Sequence, residues 1–192
     1  MTALRYRAVV FDLDGTLVDS YAALAGAVNY ARREHGLPDL SAARIRDFVG
    51  EGLERLLQRA FDSPDVPRSA QDAFERRYDE ICCEESHVLA GVASTLAQLA
   101  ALGVSMAVCT NKPTMFSRKI LEFLQLAGYF RAIVGPDLAG ARKPDAQTPR
   151  APPSLRQKMS KRGASSDRKT GPEPETLPAA NPPATTPPRS RK

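Results

Sequence analysis

The stretch that most constrains this chain lies between residues 8 and 17. Ala8-Val9-Val10-Phe11 is a continuous apolar run rich in β-branched residues. That is the pattern of a strand buried on both faces of a parallel sheet. The run stops at Asp12-Leu13-Asp14-Gly15-Thr16. In open α/β sheets, ligands gather at the carboxyl ends of strands. The two carboxylates are therefore expected where such a fold does its chemistry.

Two Asp residues separated by one residue on a turning backbone can face one pocket. A hard cation such as Mg²⁺ takes oxygen ligands of this kind, completed by waters and a phosphate. One carboxylate can attack phosphorus while the other carries a proton to or from the leaving oxygen. Gly15 allows close backbone approach to a phosphate, and Thr16 adds a small donor. A plain Asp-Gly turn after a strand accounts for the same five residues.

From Asp19 to about Ser86 the pattern is helical throughout. Ala22, Ala23, Ala27, Tyr30 and Ala31 recur at helical spacing until His35-Gly36-Leu37-Pro38. Ser41 is placed to cap a second helix carrying Ile45, Phe48 and Val49. Gly50-Glu51-Gly52 interrupts. Leu53, Leu56, Leu57, Ala60 and Phe61 form a third stripe, and Ala70, Ala73, Phe74, Tyr78 and Ile81 a fourth. With no strand between them, these segments are expected to pack as one all-helical unit. His35 and His87 have no partner at ligand spacing and are expected at the surface or at a hinge.

The alternation resumes after Ala90-Gly91. A helix carrying Val92, Thr95, Leu96, Leu99 and Leu102 stops at Gly103. The strand Val104–Cys109 follows and ends in Thr110-Asn111-Lys112-Pro113. A hydroxyl and an amide at that point can bind phosphate oxygens. A helix over 114–126 should turn Phe116, Ile120, Phe123 and Leu124 inward. A third strand over 131–135 then leads to Arg142-Lys143-Pro144-Asp145.

Phe11 to Ser20 resembles the first motif of the haloacid dehalogenase (HAD) superfamily of phosphohydrolases, most closely its phosphoglycolate phosphatase branch. Thr110-Asn111-Lys112 and Lys143 resemble the second and third motifs, in the expected order. The resemblance implies a Rossmann-like parallel sheet with an all-helical C1-type cap inserted after the first strand. The core would be residues 1–18 and 88–145, and the cap residues 19–87. It implies Asp12 as nucleophile, Asp14 as general acid/base, and Mg²⁺ held by the Asp12 side chain and the Asp14 backbone carbonyl. Gly15, Thr16, Thr110, Asn111 and Lys143 would bind phosphate, and the loop Gly50, Glu51, Gly52 would face the site. The substrate would be a small phosphorylated metabolite, phosphoglycolate by resemblance alone. A related pyrophosphatase or sugar-phosphate mutase, and a non-catalytic or unfolded fragment, remain as alternatives.

The resemblance covers roughly residues 6–145. Composition then changes abruptly. Residues 146–192 hold ten Pro, ten Lys/Arg and three Asp/Glu among 47 positions, with no aromatics. Such a segment buries too little apolar surface to offset its ordering entropy and is expected to be disordered. It carries +7, so the rest of the chain carries −2, the difference from the total of +5. The fourth family motif, a strand ending in further carboxylates, is not found there. The consequences expected are an exposed edge at Val9-Val10-Phe11, a weak Mg²⁺ site and little or no turnover by this chain alone. A frameshift or mis-called gene near codon 145 would explain the change; a genuine basic tail is the alternative. Nucleic acid is not an expected partner, and the oligomeric state is left open.

Cys82, Cys83 and Cys109 fit neither a disulfide framework nor a metal-ligand spacing. Reduced thiols and the absence of a signal-peptide pattern predict a cytoplasmic protein. Residues 88–111 are uncharged over a membrane-spanning length, but their polar residues and Gly103 divide them into helix and strand.

Overall fold

The computed structural model describes residues 6–143. The expectation of a disordered tail, and any fourth motif, lie outside the described residues.

Three parallel strands form the main sheet. They are β1 (Ala8–Phe11), β4 (Ser105–Cys109) and β5 (Phe130–Val134), in the order β1-β4-β5. Val10 pairs with Ala107 and Phe11 with Val108, while Val108 pairs with Ile133 and Cys109 with Val134. Paired residues in parallel strands share a face, so Phe11, Met106, Val108 and Ile133 lie together. This face is the covered one: Met106, Val108 and Ile133 are buried, and Phe11 meets the Phe130 ring edge-on at 6.2 Å. The other face carries Val10, Ala107 and Ala132. Val10 is 65% exposed. The sequence pattern of a strand buried on both faces is therefore not what forms. Among the described residues β1 is an edge strand with one open face.

Between β1 and β4 the chain leaves the sheet and returns. Two short strands mark the departure and the return: β2 (Val18–Asp19) and β3 (His87–Val88) pair antiparallel, Val18 with Val88 and Asp19 with His87. The regular elements between them are all helices: α1 (Tyr21–Glu34), α2 (Ala42–Arg46), α3 (Leu53–Phe61) and α4 (Arg68–Ile81). Helix α1 packs along α4. The small residues Ala23, Ala27 and Ala31 are fully buried and permit that close approach. Leu24, Ala25 and Val28 are buried too, whereas Ala22 is exposed. The helix is thus covered on two sides, which a single expected stripe does not capture. Buried Arg32 ties the unit together by donating to the carbonyls of Pro38 and Ala60. Ser41 caps α2 by accepting from the Arg44 amide at 3.2 Å.

Helix α5 (Val92–Ala101) ends at Gly103 as expected, and the Val104 amide bonds back to the Leu99 carbonyl. Helix α6 (Thr114–Phe123) joins β4 to β5. It buries Phe116, Ile120 and Leu121, whereas Phe123, expected inward, is 56% exposed. Helix α7 (Pro136–Ala139), not anticipated, follows β5. No described helix is long and apolar enough to cross a membrane. The three cysteines are free.

Candidate active site

The turn after β1 is built around the residue between the two aspartates. Leu13 is fully buried, and its carbonyl accepts from the amides of Thr16, Leu17 and Val18 at 3.2, 2.9 and 3.1 Å. Burying Leu13 turns Asp12 and Asp14 toward the cleft above the strand ends. Gly15 has φ of +73°, and a Cβ there would lie 2.5 Å from the Tyr21 hydroxyl. Any other residue would be strained and crowded. Thr16 is exposed, with its amide used in the turn.

Each aspartate meets a lysine. Asp12 Oδ2 lies 2.8 Å from Lys143 Nζ, and its Oδ1 accepts from the Leu13 amide at 2.8 Å. Asp14 Oδ1 lies 2.7 Å from Lys112 Nζ and accepts from the Ser20 hydroxyl at 2.5 Å. The two pairs differ in setting. The Asp12 side chain is 45% exposed and Lys143 31%, so solvent screens them. Asp14 and Lys112 are 14% and 4% exposed. Lys112 also donates to the Tyr78 hydroxyl oxygen at 2.6 Å, and lies 3.4 Å from Ser20 Oγ. Burial alone would push the Lys112 ammonium down, but Asp14 and Tyr78 draw it above its ordinary range, so it stays charged. Burial pushes the Tyr78 hydroxyl up to about 12, with Lys112 pulling part of the way back.

Thr110 is buried at the end of β4 and lines the cleft, its Oγ1 accepting from the Lys112 amide at 3.2 Å. The Asn111 carboxamide points elsewhere than expected for a phosphate ligand. Its Nδ2 donates to the carbonyls of Gly50 at 2.8 Å and Lys143 at 3.1 Å, and its Oδ1 accepts from the Lys143 amide at 2.8 Å. The loop over residues 50–52 does come to the site. Gly50 and Gly52 line the cleft, while Glu51 is exposed and pairs outward with Arg59. Lys112, Tyr78 and Ser20 were not singled out from sequence. Helical periodicity places Tyr78 in the core, and Lys112 and Ser20 stand in the sequence only as letters of the motifs. The signal available was a cation directly after two polar residues at a strand's end.

The cleft encloses about 60 Å³, room for roughly four to six water-sized groups. Its polar floor is Asp12, Asp14, Thr110 and Lys112; its walls include Leu24, Val49, Leu53, Leu56, Phe74 and Phe116. Most of those wall residues come from the helical unit, so the site lies between the sheet and that unit. Among the described residues no three His, Cys, Asp or Glu side chains gather to hold a metal.

Residues 9–152 match the family profile for the haloacid dehalogenase-like hydrolases. The chain belongs to this family. It is 38% identical over 143 residues to a phosphoglycolate phosphatase of Caulobacter vibrioides, covering 71% of this chain and 60% of that one. It is 36% identical over 149 residues to an N-acetylmuramic acid 6-phosphate phosphatase of Pseudomonas aeruginosa, covering 76% and 66%. Among solved structures, a predicted phosphoglycolate phosphatase from Haemophilus somnus superposes with a TM-score of 0.68 at 28% identity, covering 84% of this chain and 74% of that one. The chain thus spans 60% and 66% of the lengths of these two curated relatives.

Proposed function

We propose that this haloacid dehalogenase-like chain carries the site of a phosphomonoesterase working through an aspartyl-phosphate. The observation that carries this reading is the pair of aspartates at the carboxyl end of β1, each held by a lysine, Asp12 open to solvent and Asp14 largely shielded from it. Asp12 is open to the cleft and attacks phosphorus; the bond from phosphorus to the ester oxygen breaks. Asp14, protonated for this step, gives its proton to the leaving oxygen. Its carboxylate then takes a proton from water as that water attacks the aspartyl-phosphate. Phosphate leaves and Asp12 is restored. Lys143 holds Asp12 and the phosphoryl oxygens, and Thr110 donates its hydroxyl hydrogen to one of them.

Mg²⁺ suits this donor set in a minimal way. It binds commonly through one or two carboxylates with waters and a substrate phosphate, and Asp12 offers an accessible carboxylate oxygen. Asp12 is the more exposed of the two carboxylates, 45% against 14% for Asp14, so Asp12 is the main side-chain ligand. When bound, the ion would neutralise charge on the phosphoryl oxygens. With so few carboxylates its affinity is expected to be weak and turnover low.

The relatives' names support a small phosphate ester, with phosphoglycolate first. The test is phosphate release from phosphoglycolate, N-acetylmuramic acid 6-phosphate, a sugar phosphate and pyrophosphate, with and without Mg²⁺. Slow, Mg²⁺-dependent release that Asp12→Asn abolishes supports the proposal. Release unchanged in Asp12→Asn overturns it.

A further inference from the structure

Asn111 and Lys112 are adjacent in sequence, and each reaches in two directions. Asn111 joins the Gly50 carbonyl, in the loop between α2 and α3, to the backbone of Lys143. Lys143 is in turn the partner of Asp12. Lys112 joins the hydroxyl of Tyr78, on α4, to the carboxylate of Asp14. Both aspartates are thereby linked to the helical unit, at two separate points, through one dipeptide.

The chemistry of the two side chains makes these links specific. A carboxamide has two N–H donors. Asn111 uses both on backbone carbonyls, so it has no N–H left for a phosphate oxygen. The Tyr78 ring is held by stacking on Phe74 at 5.4 Å and by an edge contact with Phe116 at 5.0 Å. Its hydroxyl therefore sits at a fixed place, and a buried ammonium that lost this partner would be left under-bonded. Hydrogen bonds of this length fail after a shift of about 1 Å. A displaced helical unit would release the Lys143 backbone and loosen Lys112 together.

We infer that Asn111 and Lys112 are positioning residues that couple the seating of the helical unit to the alignment of Asp12 and Asp14. The inference takes the roles of the two aspartates from the function proposed above. Neither residue need touch the substrate.

Hydrogen–deuterium exchange on the full chain tests the coupling without relying on turnover. Asn111→Asp turns both donor contacts into oxygen facing oxygen. Exchange is expected to rise about tenfold in the loop around Gly50 and around Lys143 together, with α1 and α5 unchanged. Tyr78→Phe keeps the ring and removes the hydroxyl; it should raise exchange in the turn from Asp14 to Ser20. Should Asn111→Asp not fold, Asn111→Ser gives the same reading. A rise in only one of the two Asn111-linked segments, a uniform rise across the core, or an unchanged Asp14 turn in Tyr78→Phe overturns the inference. Phosphate release by the same variants separates the two proposals. If the unsubstituted chain turns over, Tyr78→Phe should lower kcat about tenfold at near-constant KM, as expected when alignment rather than binding is lost. If it does not, the function proposal fails while the exchange pattern still decides the coupling.

Discussion

Gly135 shows how tightly the segments after β4 and β5 pack against each other. A Cβ there would lie 2.5 Å from the Lys112 carbonyl oxygen, 2.6 Å from the Thr114 amide and 2.7 Å from Asp137 Oδ1. Asp137 accepts from both the amide and the hydroxyl of Thr114, which starts α6. Gly135→Ala is therefore expected to cost about 1–3 kcal/mol by overpacking, measurable by urea unfolding. Tyr78 gives a pH prediction. Its folded-state value of about 12 lies above the ordinary tyrosine value of 10.0, so the folded state holds the proton more tightly. That contribution is complete below pH 10 and is lost as pH rises toward 12. Cys82, raised to about 11 chiefly by burial, acts in the same direction. Stability should fall across this alkaline range, and the fall should be shallower in Tyr78→Phe, as read from denaturation midpoints at each pH.

At the scale of elements, residue patterns were most informative where a helix has one buried face. The stripe Ala70, Ala73, Phe74, Tyr78, Ile81 is the buried set of α4. The pattern failed on α6, where Leu121 is buried and Phe123 exposed. Periodicity alone does not say which of two adjacent apolar residues meets a neighbour. Helix α7 is too short at four residues to carry a period, and its only sequence signals are Pro136 at its start and Gly140 at its end. The β1 edge carries its own prediction. Val10 is 65% exposed on a strand whose outer side is unpaired among the described residues, and such edges promote association. Val10→Lys is expected to reduce concentration-dependent light scattering. It should change stability by less than about 0.5 kcal/mol, since the side chain is already in solvent.

For the molecule as a whole, the site lies between two layers, and ligands bridging them should stabilise the fold. Asp12, Thr110 and Lys112 belong to the sheet side, while Gly50, Leu53 and Phe74 belong to the helical side. Mg²⁺ and inorganic phosphate added together should raise Tm more than the sum of each alone, because binding to the folded state alone shifts unfolding by mass action. Equal, additive shifts would place the two ligands at independent sites.

The candidate site was legible where chemistry and strand ends coincide. An apolar run that stops at Asp12-Leu13-Asp14 indicates a strand meeting a polar pocket, because a buried strand cannot continue through two carboxylates. The same logic marked Thr110. The sequence alone determined the alternation of strands and helices, the helical stretch between β2 and β3, and the order of the polar residues. The tertiary structure alone decided that Lys112 meets Asp14 and Tyr78, that the Asn111 carboxamide turns to backbone rather than to the cleft, and that one face of β1 stays open. Those outcomes depend on contacts between residues far apart in the chain. Lys112 and Asp14 are 98 positions apart, and Asn111 and Gly50 are 61 apart. No local period encodes such pairs; they are fixed only when the helical unit and the sheet pack together.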